Sequence, residues 1–496
     1  MTTGRFYVTT SIPYVNGAPH LGHALELVQA DVLARHRRRR GRPVRFLTGT
    51  DDNALKNVAA ARAAGVPVRQ FVDANAARFV ALRGPLALSV DDVIRTSADP
   101  RHAPGVRRLW ERCAARGDFY RRRYTGLYCA GCEQFYAPDE LAGGHCPEHG
   151  VAPEEVSEEN WFFRLSRYQD QLERILESGA VRVEPATKRA EVLAFVRAGL
   201  HDLSVSRPAD RAGGWGIPVP GDPSQVVYVW WDAVANYVTA LGYGSAADDD
   251  FAGWWAGSAD RVHVVGKGIV RFHAVYWLAQ LLSAGLPLPT AILVHDYLTV
   301  GGAKIAKSTG VTADPAGLAR RYGTDALRWW FVREVPRTGD TDFTEQRLVA
   351  RHDLELANGL GNLVQRTLTL VHRLHDGVVG APDPESELVA AAEALPDAVD
   401  RAVGGFDLRA ATAALVAVVD LANRTIEADR PWERDRRGRP DAGVVLAGLV
   451  HACRVIAAEL EPFLPGGAAR LRAQLAEGER VGRPEPAFHR LDRPKL

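Results

Sequence analysis

The sequence has little cysteine, little lysine and no excess of charge of either sign. Five cysteines in 496 residues are too few for a disulfide framework. The 61 basic side chains balance 60 acidic ones, which excludes a general electrostatic binder of nucleic acid. Because no apolar run reaches the roughly 20 residues of a membrane span and the N-terminus lacks a signal pattern, we expect a cytoplasmic protein with no membrane segment.

Lysine is the rarest basic residue: only six of the 61 basic side chains are lysines, so each one is informative. Lys304 and Lys307 stand together in the glycine-flanked segment GGAKIAKSTG, residues 301–310. Two ammonium groups on a loop that glycines make mobile suit the negative charge that develops when pyrophosphate leaves ATP. The segment is not a Walker loop, because the GxxxxGK[ST] pattern is absent.

A pair of histidines stands where the first predicted strand, residues 5–12, turns into a predicted helix, residues 20–40. His20 and His23 are three residues apart and therefore share one face of the helix, just after Pro19. The backbone N–H groups of a helix start bind anions, and two imidazoles there would donate hydrogen bonds to a phosphate. Taken alone, a pair of histidines near a helix start more often has a structural role.

Two short motifs predict a metal site. Cys129 and Cys132 form a CxxC pair, and after thirteen residues Cys146 and His149 form a CxxH pair. Three thiolates and one imidazole at this spacing fill the four positions of tetrahedral zinc, which is the arrangement of a structural site. The alternative is a set of buried thiols with a histidine nearby.

The order of strand-like and helix-like segments predicts an α/β protein with a parallel sheet of the Rossmann type, split by an insertion and followed by an all-α bundle. The predicted segments are 1–115 and 226–325 for the two halves of the sheet domain, 116–225 for the zinc-bearing connective insertion, 326–352 for a linking region, and 353–496 for the helical domain.

Motifs spread over almost the whole chain match one enzyme family. They are SIPYVNGAPHLGH (11–23), FLTGTDDN (46–53), YCAGC (128–132), HCPEH (145–149), SEENWFFRLSRY (157–168), YVWWDAVANYVTALGY (228–243), VVGKGIVRFHAVYW (264–277), KIAKS (304–308) and YGTDALRWW (322–330). With them the chain resembles the class I aminoacyl-tRNA synthetases and, within these, the methionyl-tRNA synthetase family. The resemblance implies a catalytic Rossmann-type domain, a zinc-bearing insertion and a helical anticodon-binding domain.

The resemblance also implies roles for individual residues. The implied ATP site comprises His20, His23, Gly266, Lys304, Lys307 and Ser308. The implied methionine pocket comprises Ile12, Tyr14, Asp51 on the substrate ammonium group, Trp231 as a lid, Phe272 and His273. The implied anticodon-binding residues are Asn358, Asn362, Arg366 and Trp432.

The activity that the resemblance implies is ATP-dependent activation of L-methionine to methionyl-adenylate and transfer of the methionyl group to tRNA(Met). The implied cofactors are one structural zinc and Mg²⁺ with ATP. Because no further tRNA-binding module follows the bundle, a monomer is expected.

Several positions depart from the family pattern. Asp52-Asn53-Ala54 stands where the family commonly has acidic-His-Gly, Gly268 where it has the aspartate of Gly-Lys-Asp, and Asp296 where it has glycine. In the lysine-bearing segment 301–311, called the signature loop below, Ile305, Ala306 and Val311 replace the family's Met, Ser and Asn. These departures leave open a diverged paralogue that activates another amino acid or serves a biosynthetic or regulatory role. A tRNA-binding protein with an inactive site and a small nucleotidyltransferase are further alternatives.

Overall fold

The computed structural model describes residues 4–129, 131, 134–136, 138–147, 150–245, 249–305, 313–436 and 442–492. Four predicted site residues, Cys132, His149, Lys307 and Ser308, lie outside these ranges. The chain divides into two compact units. The first unit contains residues 1–19, 41–82 and 89–295, and the second contains residues 20–40, 83–88 and 296–496.

The described strands are β1 (Phe6–Thr10), β2 (Val44–Thr50), β3 (Asp92–Arg95), β4 (Phe119–Cys129), β5 (Gln134–Tyr136), β6 (Glu154–Phe163), β7 (Arg182–Glu184), β8 (Leu203–Ser204), β9 (Ser206–Pro208), β10 (Pro218–Val219), β11 (Asp222–Val227), β12 (Asp260–Gly266), β13 (Ala291–His295), β14 (Leu298–Val300), β15 (Ala303–Lys304) and β16 (Thr341–Asp342). The α-helices are α1 (Leu21–Arg39), α2 (Leu55–Ala63), α3 (Val68–Val80), α4 (His102–Ala115), α5 (Gln169–Ser178), α6 (Ala186–Arg197), α7 (Val229–Val234), α8 (Asn236–Thr239), α9 (Asp249–Phe251), α10 (Trp277–Ala284), α11 (Pro315–Tyr322), α12 (Thr324–Arg333), α13 (Glu345–Arg351), α14 (Asn362–His375), α15 (Glu387–Gly404), α16 (Leu408–Asp429), α17 (Pro431–Arg436), α18 (Ala442–Leu460) and α19 (Pro465–Leu475). Three π-helical segments occupy Ala252–Ala256, Phe272–Tyr276 and His352–Gly361.

A six-stranded sheet with the order β3-β2-β1-β12-β13-β7 organises the first unit, and every pairing in it is parallel. Its central strands are buried, as all five residues of β1 illustrate. From β1 the chain continues to β2 on one side, and from β12 it continues to β13 on the other side. The carboxyl ends of β1 and β12 therefore form the switch point at which open parallel sheets bind ligands. The predicted parallel sheet is therefore confirmed.

The predicted insertion, residues 116–225, is mostly antiparallel. Strands β5-β4-β6-β8 form one sheet and β10-β11-β9 a second. One short strand behaves differently: β7 lies within the same stretch, yet it pairs with β13 at the edge of the parallel sheet. A strand of three residues is too short to show a periodic sequence pattern. Because β7 pairs with β13, part of the predicted insertion belongs to the parallel sheet.

The second unit is mainly helical and includes α1, which the sequence placed in the first half of the sheet domain. Helix α1 packs against α12, and twelve of its nineteen residues are buried. Within the predicted helical domain, residues 353–496, the long helices are α14, which follows a π-helical segment, and then α15, α16 and α18. Helices α15, α16 and α18 pack on one another and form the core of this unit.

Helix α18 is long and apolar enough, by length and composition alone, to cross a membrane. Among the described residues it is the one helix of this kind, with a mean hydropathy of 1.7 over an 18-residue window. The expectation that no such run exists is therefore wrong. However, 61% of the window is buried inside the unit, which is also typical of the core helix of a water-soluble domain.

Candidate functional site

The two predicted phosphate-binding histidines form the start of helix α1. His20 is the N-cap residue, and its Nδ1 accepts a hydrogen bond from the Gly22 N–H at 3.1 Å. His23 reciprocates, because its Nδ1 accepts from the His20 N–H, also at 3.1 Å. The two half-buried rings lie 3.8 Å apart between centroids. A Cβ atom at Gly22 would lie 3.0 Å from His20 Cε1, so glycine makes room for the ring.

This capping box fixes the tautomer of both imidazoles. An Nδ1 that accepts a hydrogen bond carries no proton, so in the neutral ring the proton is on Nε2. Both Nε2–H groups are then hydrogen-bond donors at the positive end of the helix dipole. The sequence predicted the pair and its helix face. The structure adds the reason why both rings are held in one orientation.

The strand Ala303–Lys304, at the start of the signature loop, belongs to a β-hairpin in the second unit. Gly301 and Gly302, with φ of +60° and +77°, form its two-residue turn. This is a conformation that favours glycine at both positions. Asp342 on β16 accepts hydrogen bonds from the Gly302 N–H at 2.9 Å and from Thr299 Oγ1 at 2.8 Å. The Gly302 N–H is the main reason why the pKa of Asp342 is lowered.

The predicted methionine-binding residues Ile12, Tyr14 and Asp51 meet at the carboxyl edge of the parallel sheet. Tyr14 and Asp51 form a parallel bridge, and the Asp51 N–H donates to the Pro13 carbonyl at 2.9 Å. The Asp51 side chain is almost fully buried, at 1% exposure, and its Oδ1 accepts from the Asn53 N–H at 3.2 Å. A buried carboxylate at this edge is suited to an ammonium group.

Aromatic side chains form a second wall beside Tyr14. Trp230 stacks on Phe272 with ring centroids 3.7 Å apart, and it meets Tyr14 edge to face at 6.1 Å. His273 faces the Ile269 carbonyl through Nδ1 at 2.9 Å and the Tyr237 hydroxyl through Nε2 at 2.7 Å. A carbonyl only accepts, so Nδ1 carries the proton and Nε2 of the neutral ring accepts from Tyr237. His273 is thereby held rigidly.

Trp231, predicted as the lid, is not in this wall. Its ring lies among Trp110, Phe119 and Phe163 at centroid distances of 6.0, 5.3 and 5.0 Å, and it is only 3% exposed. Consecutive residues on helix α7 point about 100° apart, so only one member of the Trp230-Trp231 pair can face Tyr14. The geometry corrects the lid position to Trp230, which sequence reasoning missed.

The predicted ATP-site residue Gly266 and two of the departures from the family pattern, Gly268 and Asp296, lie at the ends of strands or in short turns. Gly266 ends β12, and a Cβ atom there would lie 3.4 Å from Cε1 of His295. Gly268 lies in the short 3-10 turn Lys267–Ile269. Asp296, in the second unit, accepts from the Gly339 N–H at 2.6 Å.

The unusual Asn53 is part of a buried polar network in the first unit. Its Nδ2 donates to Asp232 Oδ2 at 2.6 Å, while His102 Nε2 bonds the other oxygen of the same carboxylate. His102 Nδ1 in turn contacts Thr239 Oγ1 at 2.8 Å. The amide at position 53 therefore replaces the family's histidine without leaving Asp232 unsatisfied.

Asp52 is fully buried and is held by Arg95. Its Oδ2 accepts from Arg95 Nη2 at 2.9 Å and from Ser97 Oγ at 2.8 Å, and its Oδ1 accepts from Thr50 Oγ1 at 2.8 Å. Burial raises the pKa of this carboxyl in spite of the guanidinium. Asp52, which matches the acidic residue of the family pattern, and the departing Asn53 are thus both held by local partners.

Two of the four predicted metal ligands are described. Cys129 and Cys146 are buried in one small apolar cluster with Tyr136 and Leu141, and neither forms a disulfide. The Cys146 Sγ lies 3.6 Å from the Tyr136 hydroxyl. Two thiols brought into one cluster are a donor set that suits zinc. No metal-ligand cluster of three residues occurs within the described ranges.

The predicted anticodon-binding residues lie in the second unit. Asn358 is in the π-helical segment His352–Gly361, and Asn362 and Arg366 follow in the first turns of α14. Residues 358, 362 and 366 are four apart and share a helix face. Arg366 Nη1 lies 3.4 Å from Glu427 Oε1. Trp432 is half-buried on α17, which packs against α14.

The all-parallel sheet with ligand-type residues at its switch point and the histidine pair that caps α1 are features of class I tRNA synthetases. A family model described as "tRNA synthetases class I (M)" matches residues 6–152 and 140–368. The chain belongs to this family.

Named relatives are similar over nearly the whole chain. Methionine–tRNA ligase of Brucella suis biovar 1 (strain 1330) is 40% identical over 484 residues, covering 96% of this chain and 92% of its own. That of Caldanaerobacter subterraneus subsp. tengcongensis is 38% identical and covers 98% and 79%. The crystal structure of Mycobacterium tuberculosis methionyl-tRNA synthetase bound by methionyl-adenylate has a TM-score of 0.92 at 34% identity, covering 98% of this chain and 100% of that chain.

Proposed function

We propose that this chain is a methionine–tRNA ligase. It activates L-methionine with ATP to methionyl-adenylate and then transfers the methionyl group to tRNA(Met), for initiation and elongation. The observation that carries the proposal is the wall of Tyr14, Trp230, Phe272 and His273 next to the buried Asp51. Aromatic rings recognise a polarizable thioether, and the carboxylate holds the ammonium group of the same substrate.

In the first step the methionine carboxylate attacks the α-phosphorus of ATP, and pyrophosphate leaves. No covalent enzyme intermediate is required, so catalysis rests on positioning and on stabilising the charge of the phosphates. The Nε2–H groups of His20 and His23 donate to these phosphates, and Gly266 lies against the nucleotide. Lys304, Lys307 and Ser308 serve the leaving pyrophosphate, and ATP is bound with Mg²⁺.

In the second step a hydroxyl of the 3′-terminal ribose attacks the acyl carbon of methionyl-adenylate, and AMP leaves. The anticodon is bound at Asn358, Asn362, Arg366 and Trp432, because single-stranded bases are read by stacking and by hydrogen bonds to their edges. Shared helix placement of the first three and the packing of α17 on α14 support this assignment.

One structural zinc is held by Cys129, Cys132, Cys146 and His149. Such a closed tetrahedral site would stabilise the fold of the insertion and would supply no step of the reaction. The two described cysteines support this, since both are buried in one cluster and neither forms a disulfide. The protein acts as a cytoplasmic monomer.

The decisive experiment is ATP–pyrophosphate exchange with each of the twenty amino acids. We expect exchange with methionine alone and its loss in Lys307→Ala. Lys495→Ala removes the same side chain outside the signature loop and should leave exchange unchanged. Exchange with a different amino acid would identify a diverged paralogue. Absence of exchange with every amino acid would favour a tRNA-binding protein with an inactive site.

A further inference from the structure

Asp232, on helix α7, has a carboxylate side chain in a residue that is only 1% exposed. Hydrogen bonds from two other parts of the first unit meet at this carboxylate. Asn53 Nδ2 donates to its Oδ2 at 2.6 Å, and His102 Nε2 donates to its Oδ1. A charged group is buried in a protein where such partners compensate for the lost water, so Asp232 is a fixed point in the fold of this unit.

The partners of Asp232 have defined protonation and orientation. Both oxygens of an ionised carboxylate only accept, so Asn53 must present its NH₂ group and His102 must carry a proton on Nε2. His102 Nδ1 lies 2.8 Å from Thr239 Oγ1 and accepts from this hydroxyl when the ring is neutral. His102 is itself fully buried at the start of α4. The imidazole therefore holds one oxygen of Asp232 and leaves the other to Asn53.

Asn53 connects Asp232 to the carboxylate that is proposed to bind the methionine ammonium group. The backbone N–H of Asn53 donates to Asp51 Oδ1 at 3.2 Å in an Asx turn, while its side chain donates to Asp232. One residue thus contacts both carboxylates. Because the N–H and the amide belong to the same residue, the hydrogen bond to Asp232 limits the positions that this N–H can take beside Asp51.

The main chain before Asn53 is anchored independently of Asp232. Asn57 Nδ2 donates to the Asp51 carbonyl at 2.9 Å and to the Asp52 carbonyl at 3.0 Å. These two hydrogen bonds fix the path of the backbone where it leaves β2. Loss of the Asp232 carboxylate should therefore leave the turn in place and change the orientation of the Asp51 side chain within it.

Helix α7 gives Asp232 a second connection to the methionine pocket. Trp230 of the aromatic wall lies two residues earlier on this helix and meets Tyr14. Residues two apart on a helix point about 200° apart, so Trp230 faces Tyr14 while Asp232 faces the buried network. The two connections can be distinguished by the part of the substrate that each one serves, which is the thioether for Trp230 and the ammonium group for Asp51.

We propose that Asp232 is a positioning residue for methionine activation, because through Asn53 it orients the Asp51 carboxylate toward the substrate ammonium group. His102 contributes by holding the second oxygen of Asp232. The proposal rests on the function proposed above and deepens it. A carboxylate that is already held in its bound orientation costs less to order when the ammonium group arrives, so the network raises the affinity for methionine.

Asp232→Ala removes the anchor of Asn53. We expect KM for methionine in ATP–pyrophosphate exchange to rise roughly 10- to 100-fold, while KM for ATP stays close to the parental value. Asp232→Asn should restore most of the affinity, because its oxygen can accept from Asn53 while its NH₂ group donates to the other tautomer of His102. Asp118→Ala is the matched control. It also removes a buried carboxylate of the first unit, one that is paired with Arg167, and it should leave KM for methionine unchanged.

Two methionine analogues separate an effect on the ammonium group from an effect on the whole pocket. Methioninol keeps the thioether and the ammonium group, whereas the des-amino analogue keeps the thioether and the carboxylate. In Asp232→Ala the inhibition constant of methioninol should rise together with KM for methionine, and that of the des-amino analogue should stay at the parental value. A parallel rise for both analogues would show that Asp232 acts through Trp230 and would overturn the proposal.

A double variant tests the route through Asn53. Asn53→Ala breaks the same link but leaves Asp232 paired with His102, so with the same analogues it remains a test if Asp232→Ala does not fold. The double variant should bind methionine no more weakly than the weaker single variant, because both changes remove one connection. Multiplied effects in the double variant, or parental KM for methionine in Asn53→Ala, would overturn the proposal. Absence of methionine-dependent exchange in the parent would instead refute the ligase function on which it rests.

Discussion

Arg328 and Asp31 form an ion pair in which both side chains are fully buried, with Arg328 Nη1 2.8 Å from Asp31 Oδ2. The pair joins α12 to α1 within the second unit. Arg328 also donates to the carbonyls of Phe463 at 2.7 Å, Pro462 at 3.0 Å and Leu86 at 2.9 Å. Arg35, one turn along α1, donates to the same carboxylate at 2.9 Å. Each of the three nitrogens of the Arg328 guanidinium thus has a partner.

Arg328→Met should lower the free energy of unfolding by about 3–5 kcal/mol, because it removes the buried guanidinium that is paired with the Asp31 carboxylate. Urea unfolding followed by circular dichroism measures the change. The double variant Asp31→Leu/Arg328→Met also removes the buried charge of Asp31 and should recover part of the loss. It cannot recover all of it, since three carbonyls lose their donor. Additive losses in the double variant would contradict this explanation.

His20→Asn separates the two roles of His20, which are to cap the helix through Nδ1 and to donate a hydrogen bond through Nε2–H. The asparagine Oδ1 can replace Nδ1 as the acceptor for the Gly22 N–H, whereas the Nε2–H donor is lost. We expect the melting temperature to stay close to that of the parent, while the rate of methionine-dependent exchange falls about 10²-fold. His20→Ala should lose the cap as well, at an added cost of about 1 kcal/mol in stability. Parental exchange in His20→Asn would remove His20 from the phosphate site.

The neighbouring tryptophans should give opposite phenotypes. Trp230→Ala opens the wall beside Tyr14, and we expect KM for methionine to rise by roughly 10- to 100-fold with little change in stability. Trp231→Ala empties a site among three aromatic rings and should cost about 3–5 kcal/mol of unfolding free energy. Exchange kinetics and urea unfolding of both variants check the pair. The same result in both would show that the aromatic wall is assigned incorrectly.

His36 makes the second unit sensitive to mild acid. Burial, reinforced by Arg37 and Arg40, lowers the pKa of His36 from 6.5 to about 4, although Asp400 opposes the shift. The unfolded chain therefore takes up the proton first. The contribution of neutral His36 to the free energy of unfolding is complete above about pH 6.5 and is lost as the pH falls toward about 4.

The loss at the acid end is on the order of 3 kcal/mol. His36→Gln keeps a donor for Asp400 and cannot become charged. Unfolding free energies measured from pH 7.5 down to pH 4.5 should fall less steeply for this variant than for the parent. Parallel curves would show that another group is responsible for the acid sensitivity.

The zinc proposal predicts one zinc per chain by atomic absorption after purification. Cys129→Ser and Cys146→Ser should each lower the stoichiometry and expose the insertion to proteolysis, because a structural site stabilises the fold around it. Cys453→Ser is the control: burial raises the pKa of that thiol to about 12, so it stays protonated and is a poor ligand. Equal zinc content in all four proteins would exclude the cysteine site.

Sequence reasoning succeeded where a signal repeats locally. The order of strand-like and helix-like segments predicted a parallel sheet, and the spacing of His20 and His23 predicted a shared helix face. The reciprocal Nδ1 contacts of these histidines were not predicted, because they depend on the cap geometry of His20. The structure confirms that both histidines stand at the helix start, and their role at the phosphates stays a prediction.

Failures occurred where three-dimensional context decides between equal candidates. Trp230 and Trp231 are chemically identical neighbours, and only the orientation of α7 separates a pocket wall from core packing. Strand β7 is three residues long, too short for a periodic signal.

Helix α1 has a consequence for how the chain can change in length. Its first turn holds the His20 and His23 rings, and its last turns hold Arg40 against Asp400 and Glu459. One added residue would rotate one end against the other by about 100° and shift it by about 1.5 Å. Both sets of partners could not then be kept. Evolution can exchange side chains along this helix but can scarcely insert or delete one, so gaps between related chains should avoid residues 21–39 and collect in loops such as 380–386.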